Sequence, residues 1–84
     1  MSDTLKRVQK VTAELLKIDP GKVQESSRFV EDLGAESIQS IELVAAFEEA
    51  FDIEMDEDAA LSVKSVGDAA VFIDKVIRGG ASGS

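Results

Sequence analysis

Cysteine and histidine are both absent from the 84 residues. Without cysteine there is neither a disulfide framework nor a thiolate metal site to help a small core hold together. Without histidine, Ser-His-Asp and Cys-His catalysis and the usual zinc constellations are excluded. Carboxylate chemistry remains, but most acids here fall in helix-like, solvated patterns, so the chain is not expected to act as an enzyme on its own. No apolar run approaches bilayer-spanning length, and the first residues lack a signal-peptide apolar core; a soluble, cytoplasmic protein is expected. A chain this short makes one domain, near the size at which a single core is only marginally sufficient.

A further absence is positional. Residues 29–63 contain eleven acids and no lysine or arginine, and all nine basic residues lie outside them; the net charge is −8. Nucleic-acid binding is disfavoured, because neutralising phosphates requires clustered cations. Solubility alone explains some acidic surface. A field of one sign along a whole segment also speeds and orients the encounter with basic partners, and we expect a docking surface here.

Apolar spacing predicts four helices. Leu5, Val8, Val11, Leu15 and Ile18 mark one face of a first helix over about residues 4–17, with Ser2, Asp3 and Thr4 as candidate caps and Asp19-Pro20-Gly21 as its stop. A long loop follows to Glu36, pinned by Val23, Phe29, Val30 and Leu33, with room for a short helical turn near residues 21–25. The second helix, about residues 37–51, has Leu43, Val44, Phe47, Ala50 and Phe51 as core candidates, while Ile38, Ile41 and Ala45 lie nearer the outside among Glu42, Glu48 and Glu49.

The acidic run at residues 52–58 invites a calcium-loop reading, which fails on spacing. A loop beginning at Asp52 needs glycine sixth and glutamate twelfth, and those places hold Glu57 and Val63. No metal site is expected. Asp56 reads instead as the cap of a short third helix, residues 57–61, with Ile53 and Met55 plugging the core. Ser65-Val66-Gly67-Asp68 has the spacing of a capping box opening a fourth helix. Val66, Ala69, Ala70, Ile73 and Ile77 form its inward stripe, with Phe72 and Val76 at the margin. Lys75 and Arg78 suit its C-terminal dipole. Residues 79–84, GGASGS, read as a flexible tail after a domain spanning residues 1–78. The expected fold is all-α: a small four-helix bundle with three longer helices, one short third helix and a long first loop.

A serine in the first turn of a helix is most often a cap for an orphan amide. Ser37 stands in more particular surroundings. The stretch FVEDLGAESIQSIELVAAFEEAFDIE resembles the modification site of acyl carrier proteins, with Glu36-Ser37-Ile38 where that family most often has Asp-Ser-Leu. The resemblance covers about residues 4–77. It implies that Ser37 carries a covalent 4'-phosphopantetheine arm derived from coenzyme A, with Gly34, Glu36 and Ile38 as motif context. It further implies that the apolar residues beside the serine help to seat partner enzymes.

A helix N-terminus favours a bound phosphate through its free amides and dipole, and the arm's thiol would hold an acyl group as a thioester that the chain presents to other proteins. The expected partners are a phosphopantetheinyl transferase and acyl-processing enzymes with basic patches. They would dock on Ile38, Ile41, Glu42, Ala45, Glu48 and Glu49, and the chain is expected to be monomeric, without nucleic acid or membrane insertion. Ala46, Ala50, Ala59, Ala60, Ala69 and Ala70 admit two readings: close helix packing, or room for cargo. On the second reading Leu43, Phe47, Ala60, Leu61, Ala69 and Ile73 line an acyl pocket. The free-standing length points to a discrete carrier for fatty-acid or related enzymes. The alternatives are a carrier for polyketide or peptide synthesis, and an acidic helical adaptor without a prosthetic group.

Overall fold

The computed structural model describes residues 3–79. Its helices are α1 (Asp3–Leu16), α2 (Ser37–Phe51), α3 (Glu57–Leu61) and α4 (Val66–Arg78), with a single 3-10 turn at Pro20–Lys22. No strand occurs among the described residues, and no described helix is long and apolar enough to cross a membrane. Ser2 and residues 80–84 of the proposed tail lie outside the described residues.

The amphipathic helix α1 packs against both α2 and α4, whereas α3 packs on α2. Contact between α2 and α4 is marginal. The core follows from this arrangement: Val8 and Ala13 from α1, Leu43 and Phe47 from α2, and Val66, Ala69, Ala70 and Ile73 from α4 are buried, with Val23 and Phe29 supplied by the loop. Rings of Phe29 and Phe47 meet at 6.4 Å between centroids in a tilted geometry that favours aromatic pairs. At the other pole, Arg7 donates to the Ala50 carbonyl and lies over the Phe51 ring at 4.5 Å, tying the end of α2 to α1.

Helix ends depart from the sequence expectation in physical detail. Proline and glycine do not stop α1. Lys17 does so, by adopting the left-handed region at φ 60° while the Ile18 N–H donates to the Ala13 carbonyl at 3.0 Å, a Schellman-type closure. Pro20 and Gly21 form the separate 3-10 turn, capped by the Asp19 carboxylate on the Gly21 N–H. Thr4 is no cap; its hydroxyl donates to the Asp74 carboxylate, joining α1 to α4. Asp56 caps α3 through the Asp58 N–H, as expected. Ser65 caps α4 through the Asp68 N–H at 3.1 Å, but no return bond from the Asp68 carboxylate closes the box. Aspartate is one methylene shorter than the usual glutamate.

Two apolar assignments are corrected. Ile77 is 47% exposed instead of facing inward. The Thr4–Asp74 bond marks where the first turn of α1 meets α4, so Ile77 lies near the end that overshoots its neighbour. Val30 is 59% exposed: in the turn that buries Phe29, its successor faces outward.

The long loop is held by backbone as much as by side chains. Phe29 N–H donates to Lys64 O (3.0 Å), Val66 N–H to Ser27 O (2.9 Å) and Gly67 N–H to Glu25 O (2.8 Å), an antiparallel lacing of the first loop to the start of α4. This lacing lets a segment without regular structure form a fixed wall of the bundle.

Candidate functional site

The chain enters α2 from an anchored turn. Gly34 takes φ 74°, the region in which a side chain would strain the backbone. Its neighbour Ala35 is buried and donates its N–H to the Phe29 carbonyl at 2.8 Å. Glu36 is then the extended N-cap residue, and the Gln39 side chain reaches back to accept the Glu36 N–H at 2.9 Å. The first helical bond runs from the Ser40 N–H to the Glu36 carbonyl at 2.9 Å.

Ser37 therefore occupies the first helical position, not the cap. It is exposed, and its hydroxyl has no hydrogen-bond partner among the described residues. Most other described serines are occupied. Ser27 and Ser65 accept backbone N–H groups, while Ser40 and Ser62 donate to the Glu36 and Ala59 carbonyls. Only Ser26, in a turn of the first loop, shares the freedom of Ser37, and it heads no helix.

Along α2 from Ser37, the residues Ile38, Ile41, Glu42, Ala45 and Glu49 are all exposed and share one stripe by their three- and four-residue spacing. Ile38 is 61% exposed and Ile41 47% exposed, so both lie outside the core. Neither Glu42 nor Glu49 has a cationic partner among the described residues; the only ion pairs there join Arg28 to Glu31 and Asp32, at 2.8 and 3.5 Å. Glu48 behaves differently from the rest of the stripe. It is half-buried, and its Oε2 accepts the Met55 N–H at 2.8 Å. Its position between Phe47 and Glu49 gives no sequence signal of that inward bond.

Where α2 and α4 make little direct contact, a cleft of about 240 Å3 lies between them, bordered by α3 and the first loop. Leu43, Phe47, Ala60, Leu61, Ala69 and Ile73 all lie on its wall. Phe29, Val30, Val44, Met55, Val63 and Phe72 add to the apolar lining, and Ser40, one turn beyond Ser37, also lines the cleft. Most of the lining is apolar, which suits an apolar occupant, while the charged residues Arg28, Glu31 and Lys64 also line the cleft.

Comparison with known proteins bears on this geometry. The family described as the phosphopantetheine attachment site matches residues 6–73. The acyl carrier protein of Phenylobacterium zucineum (strain HLK1) is 53% identical over 75 residues, which is 89% of this chain and 95% of that protein. That of Caulobacter vibrioides (strain NA1000 / CB15N) is 55% identical over 73 residues, 87% of this chain and 94% of the relative. The chain belongs to the acyl carrier protein family. It is accordingly a discrete carrier of acyl groups on a covalently attached 4'-phosphopantetheine, and not an enzyme. Membership also implies dealings with a phosphopantetheinyl transferase and with acyl-processing enzymes.

The residues of this carrier fit such a group. A phosphate ester needs an accessible hydroxyl, and the head of α2 offers one beside first-turn amides that find no backbone acceptor within the helix. No group of three or more acidic side chains suited to a metal ion occurs among the described residues.

Proposed function

We propose that Ser37 is the residue that carries the arm, and that the carrier presents acyl groups to fatty-acid or related acyl-processing enzymes in the cytoplasm. The observation that supports this most is the free, exposed hydroxyl at the first position of α2, with capping assigned to Glu36 and Gln39 instead. When bound, the arm supplies the thiol that this cysteine-free chain lacks. The chain itself holds the serine outward and offers the helix N-terminus to the phosphate. Gly34 and Glu36 set the turn, and Ile38 begins the docking stripe.

In this reading Ile38, Ile41, Glu42, Ala45 and Glu49 are the grip for basic patches on the transferase and the acyl-processing enzymes, and the chain works as a monomer. The cleft shelters the cargo between visits. At about 240 Å3, the cleft has room for part of an acyl chain. Incubation with coenzyme A and a broad-specificity phosphopantetheinyl transferase, followed by intact mass, tests the central point. One added arm is expected, lost in Ser37→Ala. An arm that persists in that variant, or an unmodified wild-type chain, would overturn the assignment.

A further inference from the structure

The cleft has one wall built differently from the others. α1 supports α2 and α4 along their lengths, and the first loop is laced to α4 by backbone bonds. α3 has only five residues, and among the helices its substantial packing is against α2 alone. Yet it supplies Ala60 and Leu61 to the cleft, and the connection leading into it supplies Met55. That connection begins where Asp52 turns the chain through the left-handed region, φ 56°, with the Ile53 N–H on the Glu48 carbonyl at 3.0 Å. Beyond this turn, one side-chain bond ties the connection back to α2: Glu48 Oε2 accepting the Met55 N–H at 2.8 Å, partly buried. An ionised acceptor makes such a bond stronger than a neutral one.

We propose that Glu48 is a positioning residue whose carboxylate, by holding the Met55 amide, fixes the α3 wall and so sets the longest acyl chain that the cleft accepts. The proposal rests on the reading of Ser37 and the cleft given above. Its physical content is a latch. With the bond made, Met55 and α3 close the cleft at its present size. With it broken, the wall keeps the backbone bonds at its two ends, the burial of Ala60 and the packing of Ile53, Met55 and Val63, but loses its side-chain tie to α2, and it moves away from Phe72 and Ile73 to admit more carbons. The docking stripe and the latch therefore place opposite demands on neighbouring glutamates: Glu49 faces out with its charge free, while Glu48 faces in.

Glutamine and alanine separate the two roles. Glu48→Gln removes the charge but keeps a carbonyl oxygen able to accept the Met55 N–H; Glu48→Ala removes both. Each protein is loaded at Ser37 with straight acyl chains from short to long, loading is verified by mass, and thioester cleavage by hydroxylamine is timed. In the wild type, protection is expected to rise with chain length and level off once the cleft is full. Glu48→Ala should level off at longer chains, and Glu48→Gln should follow the wild type. In the unloaded proteins, Met55 amide exchange should be about tenfold faster in Glu48→Ala, the scale expected for a lost bond to a charged acceptor, and only a few-fold faster in Glu48→Gln, which keeps a weaker, neutral acceptor.

A third arm needs no variant and decides the matter if Glu48→Ala does not fold. In the wild type, a chain too long for the cleft should accelerate Met55 amide exchange relative to a short one. The proposal fails if all folded proteins share one protection profile, if Glu48→Gln tracks Glu48→Ala, or if long cargo leaves Met55 exchange unchanged. Should Ser37 accept no arm, the functional reading falls, while the unloaded exchange rates still decide whether the latch exists.

Discussion

Gly67→Ala sets helix propensity against backbone proximity, and the structure decides which wins. Gly67 lies in the first turn of α4, where replacing glycine by alanine ordinarily gains up to about 1 kcal/mol. Here a Cβ would stand 2.7 Å from the Glu25 Cγ and 3.0 Å from the Glu25 carbonyl oxygen. The first contact is with a flexible, exposed side chain that can swing aside. The second is with backbone, in the same carbonyl that accepts the Gly67 N–H at 2.8 Å. The backbone there must therefore give by a few tenths of an ångström, straining the Gly67–Glu25 bond. Overpacking of this kind costs typically about 1–3 kcal/mol, and a weakened hydrogen bond adds up to about 1 kcal/mol.

Net destabilisation of about 1–2 kcal/mol is expected, a fall in Tm of roughly 5–15 °C for a domain of this size. Thermal unfolding followed by circular dichroism measures it. Combining the change with Glu25→Ala isolates the backbone contribution, since only the carbonyl contact then remains, and most of the loss should persist. A Gly67→Ala protein that melts at or above the wild type would refute the claim that close approach between loop and helix holds this wall. Full recovery in the double variant would assign the effect to the Glu25 side chain alone.

Thr12 is fully buried in α1, and its hydroxyl has no hydrogen-bond partner. Thr12→Val keeps the shape and removes the unsatisfied group, so stability should rise by about 1 kcal/mol, read as a higher denaturant midpoint at unchanged m; an equal or lower midpoint contradicts the burial argument. Reversing charge at Glu42 and Glu49, both exposed and without cationic partners, should slow modification by the transferase and flatten its salt dependence, while stability stays within about 0.5 kcal/mol of wild type. Association rates that do not respond would remove the docking stripe.

Much of this architecture is legible from residue spacing because its dominant forces are local and periodic. The α2 boundaries, the α3 segment and the buried positions Val66, Ala69, Ala70 and Ile73 follow from apolar recurrence and from caps such as Asp56 and Ser65. The misjudged features depend on contacts between distant segments. Ile77 continues the stripe of α4 perfectly well, but its burial depends on how far α1 extends alongside. Lys17 has no local mark of a left-handed stop; the conformation is fixed by closure onto Ala13 and by the packing of Ile18. The lacing of residues 25–29 to residues 64–67 is backbone chemistry, which composition does not encode. Glu48 likewise looks identical to Glu49 in a string of letters, and only the return of Met55 distinguishes them.

The placement of Ser37 shows why an acid-serine pair, and not serine alone, suits the head of this helix. At the cap position, a serine hydroxyl typically bonds a first-turn amide and turns away from solvent. Here Glu36 takes the extended backbone of the cap and Gln39 satisfies its N–H. The serine is shifted by one residue into the helix, where its hydroxyl has no local duty. It thus shares the rigidity of α2 while remaining chemically free. Ser40, one turn further along, shows the alternative: its hydroxyl bonds back to the Glu36 carbonyl, in the manner of a structural serine within a helix. A reactive hydroxyl on a fixed support needs capping to be performed by something else, and the residues three apart at Glu36 and Gln39 perform it.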